Sequence, residues 1–160
     1  MMTIGEGPQE GSAMPDIAMV RHDGEEVKVS DYRGRKLALF FYPKDNTPGC
    51  TTEAKDFSAL KDEFEKAGCA LLGVSKDSSK KHQNFIAKHD LTVDLATDAE
   101  EGGLSDELGV WAEKKMYGKT FMGMIRSTYL IDADGKVARI WPKVKVAGHA
   151  EEVLAAAQAL

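Results

Sequence analysis

Thiols are scarce in this chain. Cys50 and Cys69 are its only cysteines among 160 residues, and no C-x-x-C pair occurs. That excludes a dithiol disulfide exchanger, a cysteine-rich zinc module and a disulfide-stapled secreted scaffold. Two free thiols fit a reducing compartment, and the cytoplasm is the expectation. Long apolar runs are missing too. The longest, Leu37 to Tyr42, covers six residues, against about 20 for a membrane-spanning helix. Met1–Ser12 is rich in glycine and polar residues and lacks the apolar centre of a signal peptide. No glycine-rich phosphate loop or dinucleotide fingerprint appears. Basic residues form no block: 21 Lys and Arg stand against 26 Asp and Glu, for a net charge of −5. Lys80-Lys81 and Lys114-Lys115 are short pairs that read as solvated faces, so nucleic acid finds no footprint. His22, His82, His89 and His149 have no spacing with carboxylates or cysteines that makes a metal site. Membrane, nucleic acid and metal are set aside, and no cofactor is implied.

What is present is an ordinary globular composition, 42% hydrophobic and 29% charged, in a length suited to one domain. Residues 1–10 read as a flexible extension and 11–160 as a single domain without internal repeats. Asp23-Gly24, between Ile17–Val20 and Glu26–Val29, signals an N-terminal β-hairpin. The unbroken apolar run Leu37–Tyr42 predicts a central strand covered on both faces. Between Cys50 and Ala67, Ala54, Phe57, Leu60 and Phe64 recur three or four apart, the inward stripe of one helix that Gly68 ends. Ala70–Val74 is a second buried strand, so a parallel pair with a right-handed crossover follows. A helix over Ser78–His89 with Phe85 and Ile86 inward, a short strand near Val93–Ala96 and a short helix near Leu104–Leu108 come next. Ser127–Ile131 and Val137–Trp141 flank the turn at Asp132–Gly135, and His149–Leu160 closes the chain as a helix. Trp111 and Trp141 read as core or rim aromatics. The sum is an α/β fold, a mixed central sheet flanked by helices, for which the thioredoxin-like fold is the natural candidate.

One thiol stands apart. Cys50 ends Pro43-x-x-x-Thr47-x-x-Cys50, directly after the buried strand and at the first turn of a helix. The unpaired N–H groups and positive dipole end of that turn favour a thiolate over a thiol. They also offer donors to an anionic or polar oxygen, as helix N-termini do to anions. Thr47 places a hydroxyl one turn away, able to accept a hydrogen bond while its own proton is directed elsewhere. Pro43 stiffens and screens the approach. Read without its neighbours, Cys50 would be a buried inert thiol, Thr47 a helix cap and Arg126 a surface charge.

The segment Tyr42-Pro43-Lys44-Asp45-Asn46-Thr47-Pro48-Gly49-Cys50-Thr51-Thr52-Glu53 resembles the active site of peroxiredoxins, specifically the peroxiredoxin Q or bacterioferritin comigratory protein group. The likeness continues through Leu72–Ser75, Gly109-Val110-Trp111 and Arg126–Asp132, in order and spacing, from about Gly11 onward. It implies a thioredoxin-like fold and a thiol-dependent peroxidase acting on hydrogen peroxide and organic hydroperoxides. Cys50 is then the peroxidatic residue, Thr47, Pro43 and Arg126 its catalytic partners, and Glu53 a support that orients the arginine. A monomer is also implied.

The chain departs from that group in its second thiol. The resemblance places a resolving cysteine either five residues after the first, where Lys55 stands, or on the next helix, near Ile86. Cys69 is a poor substitute: a continuous helix from Cys50 to Gly68 would hold the two about 25 Å apart at 1.5 Å per residue, whereas a disulfide needs Cα atoms within about 7 Å. The expectation is a one-cysteine cycle completed by an external thiol reductant: thioredoxin, glutaredoxin or glutathione. The alternative is a peroxide sensor or redox relay that hands its oxidation to a partner protein.

Overall fold

Every residue of Leu37–Phe41 is buried, and successive side chains divide between two cores. Leu37, Leu39 and Phe41 enter one, while Ala38, Phe40 and the following Tyr42 enter the other. Such two-sided burial is what an unbroken apolar strand demands. The computed structural model describes residues 8–160. Its main sheet begins with the hairpin of β1 (Met19–Arg21) and β2 (Glu26–Val27), followed by the central β3 (Lys36–Phe41). β4 (Cys69–Ser75) and β5 (Asp94–Thr97) run parallel to β3. A second two-stranded sheet pairs β6 (Trp111–Met116) with β7 (Lys119–Met124). β8 (Ser127–Ile131) then returns to the main sheet antiparallel to β3, and β9 (Val137–Trp141) pairs with β8. The order is β2-β1-β5-β4-β3-β8-β9, a mixed sheet with β1 antiparallel to β5.

The expected single helix after β3 is two. α1 (Pro48–Ala59) begins earlier than predicted, with Pro48 at a position where its missing N–H costs nothing. It ends at Leu60, whose φ of −100° and ψ of 5° leave the helical region, and α2 (Lys61–Lys66) follows at once. The apolar stripe hides the break because Phe57 and Phe64 remain fully buried on either side of it. α3 (Ser79–His89) is capped by Ser78 Oγ, which accepts from Lys81 N at 3.2 Å. Its buried residues are Phe85, as expected, and His82, which was not; Ile86 is only partly buried. With α5 (His149–Ala159), these helices cover the face occupied by Phe40 and Tyr42. A 3-10 turn (Val29–Tyr32) and α4 (Leu104–Leu108) cover the other.

Other boundaries shift slightly. The first hairpin is shorter than expected because Val29 enters the 3-10 turn. The β6–β7 hairpin has no counterpart in the sequence reading. Tyr117 and Gly118 turn it with φ of 52° and 76°, the left-handed pair of a two-residue loop. Most of the expected extension at 1–10 lies outside the described residues. Gly11 N donates to Val137 O at 2.7 Å, and Glu10 accepts from Ile140 N at 3.2 Å. No helix among the described residues is long and apolar enough to cross a membrane.

Candidate active site

The strand-to-helix junction holds the thiol. Thr47 is the N-cap residue of α1 and adopts extended backbone, but its hydroxyl caps nothing: Oγ1 donates to Lys44 O at 2.8 Å. The hydroxyl oxygen therefore keeps its lone pairs for an incoming donor. Cys50 lies in the first turn, three residues on, and only 2% of it is exposed. Pro43 stands exposed immediately after Tyr42, at the start of the loop.

Arg126 reaches this junction from just before β8. Its Nη2 donates to Cys50 Sγ at 3.2 Å and its Nη1 donates to Glu53 Oε1 at 2.8 Å. One planar fork thus joins the thiol to a carboxylate one turn further along α1, geometry that lysine cannot reproduce. Glu53 is 1% exposed. Burial pushes its pKa up to about 7, with Arg126 opposing the shift. Gly49 makes the approach possible: a Cβ there would stand 3.2 Å from Arg126 Nη2. The Pro48-Gly49 dipeptide is thus the first helical turn and also the clearance for the guanidinium.

The structure brings Cys50, Arg126 and Glu53 into direct contact. Thr47 joins them through the first turn of α1, and Pro43 only through the loop. A buried cluster that the sequence reading missed holds that loop. His82 Nδ1 lies 2.7 Å from Asp45 Oδ2, Tyr42 Oη donates to Asp45 Oδ1 at 2.6 Å, and Asp45 N donates to Asp77 Oδ2 at 2.8 Å. His82 Nε2 faces Ala96 O at 3.1 Å, and a carbonyl only accepts, so Nε2 carries a proton. Seven residues along α3, His89 Nε2 meets Asn46 Oδ1 at 3.1 Å. Asn46 takes a φ of 63° beside Thr47. Two histidines on one helix face therefore grip the two residues that precede Thr47. His149 sits behind the site, its Nε2 2.8 Å from Thr128 Oγ1; burial lowers its pKa to about 4.

Residues 11–140 match the AhpC/TSA family. The chain belongs to this family, within the peroxiredoxin Q group. Peroxiredoxin Bcp of Xanthomonas campestris is 48% identical over 144 residues, 90% of this chain and 89% of that one. Peroxiredoxin Bcp of Bacillus subtilis is 46% identical over 90% of this chain and 91% of its own. A solved structure of the X. campestris bacterioferritin comigratory protein, described with alkyl peroxide reduction activity, superposes with a TM-score of 0.86 at 45% identity. It covers 95% of this chain and 96% of its own. The mixed sheet and flanking helices of this peroxiredoxin are the thioredoxin-like fold expected of it.

Cys69 sits at the start of β4, paired in register with Lys36, whereas Cys50 follows the far end of β3. Five strand steps from Lys36 to Phe41 span about 17 Å, well beyond disulfide reach. The reason for the separation is thus the parallel β3–β4 register rather than one long helix. Burial pushes the Cys69 thiol up to about 11. Among the described residues, no group of three or more His, Cys, Asp or Glu is disposed to hold a metal ion.

Proposed function

We propose that this peroxiredoxin reduces hydrogen peroxide and organic hydroperoxides through a sulfenic acid on Cys50. The observation that carries the reading is the fork from Arg126 to both Cys50 Sγ and Glu53. The Cys50 thiolate attacks the terminal peroxide oxygen, the O–O bond breaks, and the departing alkoxide or hydroxide takes a proton to leave as alcohol or water. Arg126 faces the charge that moves from sulfur to oxygen, where preorganised donors lower a barrier most. Thr47 accepts from the peroxide hydroxyl, since its own proton goes to Lys44 O. Pro43 screens the mouth of the loop. Glu53 is a positioning residue that aims Arg126.

The cycle has one cysteine. An outside thiol condenses with the sulfenate and a second thiol releases Cys50; thioredoxin, glutaredoxin and glutathione are the candidate donors, in a reducing compartment such as the cytoplasm. What supports this is the distance between Cys50 and Cys69 implied by the β3–β4 register. Family likeness supports a monomer with residues 11–160 as its domain. Steady-state peroxidase assays of the two cysteine variants test the reading. Cys50→Ser must abolish turnover and Cys69→Ser must keep it; turnover by Cys50→Ser contradicts the assignment, and its loss in Cys69→Ser contradicts the one-cysteine form alone. The same sulfenate would serve a relay, which forms mixed disulfides with a specific partner protein in place of turnover with small thiols.

A further inference from the structure

A cavity of about 460 Å³ is lined by three cations, Lys114, Arg126 and Lys143, and an apolar wall of Ile125, Pro142 and Val144. Arg126 links it to the thiol, since its Nη2 reaches Cys50 Sγ. Lys114 arrives from the β6–β7 hairpin by a specific device. Its side chain lies across Gly123, where a Cβ would stand 3.0 Å from Cδ and 3.2 Å from Cε, and its ammonium donates to Met124 O. Desolvation and the like charge of Arg126 push its pKa down, while Cys50 pulls it up. Glu113 is the one carboxylate in the lining, and Arg126 is the one lining cation with a salt bridge among the described residues, to Glu53.

Hydrogen peroxide is small and neutral and makes little use of that space or charge. A reducing thiol uses both, because its attacking form is an anion and Cys50 has no internal thiol within reach. We propose that this cavity seats the reducing thiol of the cycle, and that Lys114 and Lys143 select a small anionic thiol bearing carboxylates. The proposal rests on Cys50 being the peroxide-reactive residue. In the first step the thiolate sulfur bonds to Cys50 Sγ and the sulfenic oxygen leaves with protons as water. In the second, another thiolate attacks the sulfur of the bound thiol and frees Cys50. Two thiols are oxidised to one disulfide as the sulfenate is reduced.

The test forms the Cys50 sulfenate in the full chain with one equivalent of hydrogen peroxide. Its decay is then followed by stopped flow with glutathione and with uncharged 2-mercaptoethanol at equal thiolate concentrations. The expected result is a glutathione preference of about tenfold or more at low salt, shrinking as salt rises and falling towards one in the Lys114→Gln/Lys143→Gln double variant. A ratio near one in the unaltered protein overturns the proposal, as does a ratio that the double variant leaves intact. So does a charge preference confined to the oxidation step, with a carboxylate-bearing alkyl hydroperoxide favoured over an uncharged one; the cations would then belong to the peroxide. Absence of any sulfenate before thiol is added strikes the underlying assignment of Cys50 and removes the proposal with it.

Discussion

His82 Nδ1 and Asp45 Oδ2 lie 2.7 Å apart with both side chains buried, and the pair ties α3 to the loop that carries Thr47. Removing one partner of a buried pair strands the other and costs about 3–5 kcal/mol. His82→Ala is therefore expected to lose about 3 kcal/mol of stability in urea unfolding. It should also slow Cys50 oxidation by about tenfold, because the Lys44 carbonyl that orients the Thr47 hydroxyl shifts with the loop. Urea curves and stopped-flow oxidation rates on the same sample check both.

The larger kinetic effect is expected at Arg126. Losing a preorganised donor of this type costs about 10²–10³ in rate, which is the drop expected for Arg126→Gln in second-order peroxide reduction. Arg126→Lys is expected to recover only part of it, since one ammonium cannot reach Cys50 and Glu53 as a fork does. Gly49→Ala should act in the same direction more weakly. Its new methyl would press on Nη2 from 3.2 Å, so peroxide reduction slows.

The pH dependence of stability follows from Glu53. Its folded pKa, about 7, exceeds its ordinary value of 4.5 because burial outweighs the help from Arg126. A group raised in this way contributes stability fully below 4.5 and loses it as pH rises through 7. Relative to Glu53→Gln, the unaltered chain is expected to weaken by about 3 kcal/mol between pH 4.5 and pH 7.5. His149 works on the acid side with the opposite slope. Its pKa of about 4, against 6.5 ordinarily, makes the native state weaken as pH falls from 6.5 towards 4. Chemical unfolding at stepped pH, with a His149→Asn variant alongside, separates the two.

Packing yields a further prediction. A Cβ on Gly73 would stand 2.6 Å from Phe40 Cζ and 2.8 Å from Leu95 Cδ2. Phe40 in turn stacks on Phe57 at 4.5 Å between centroids, so it has little freedom to yield. Gly73→Ala is expected to destabilise the fold by about 1–3 kcal/mol, the usual cost of overpacking, measured as a lower urea midpoint at unchanged slope.

Features whose placement is set by local pattern were legible in the sequence. The unbroken run at β3, the turn signal at Asp132–Gly135 and the spacing from Pro43 to Cys50 each reflect neighbours along the chain. Arg126 was legible only through family likeness, because nothing local distinguishes it from a surface charge. The break at Leu60 was hidden, since its stripe keeps helical period through a change in backbone. The β6–β7 hairpin left little trace: it is largely exposed, with Tyr117 96% exposed, so burial imposes no alternation on its strands. The Asp45–His82 contact joins residues 37 positions apart, and no spacing rule announces it. A polar residue on the inward face of α3, in register with Phe85 and His89, was the available signal.

The most direct test of the account treats reduced protein with one equivalent of hydrogen peroxide, with and without a sulfenate-trapping dione, and reads the products by intact mass and peptide mapping. The account predicts one dione adduct, on Cys50, with Cys69 still a free thiol. A Cys50–Cys69 disulfide, or a Cys50 that stays unmodified, would contradict it.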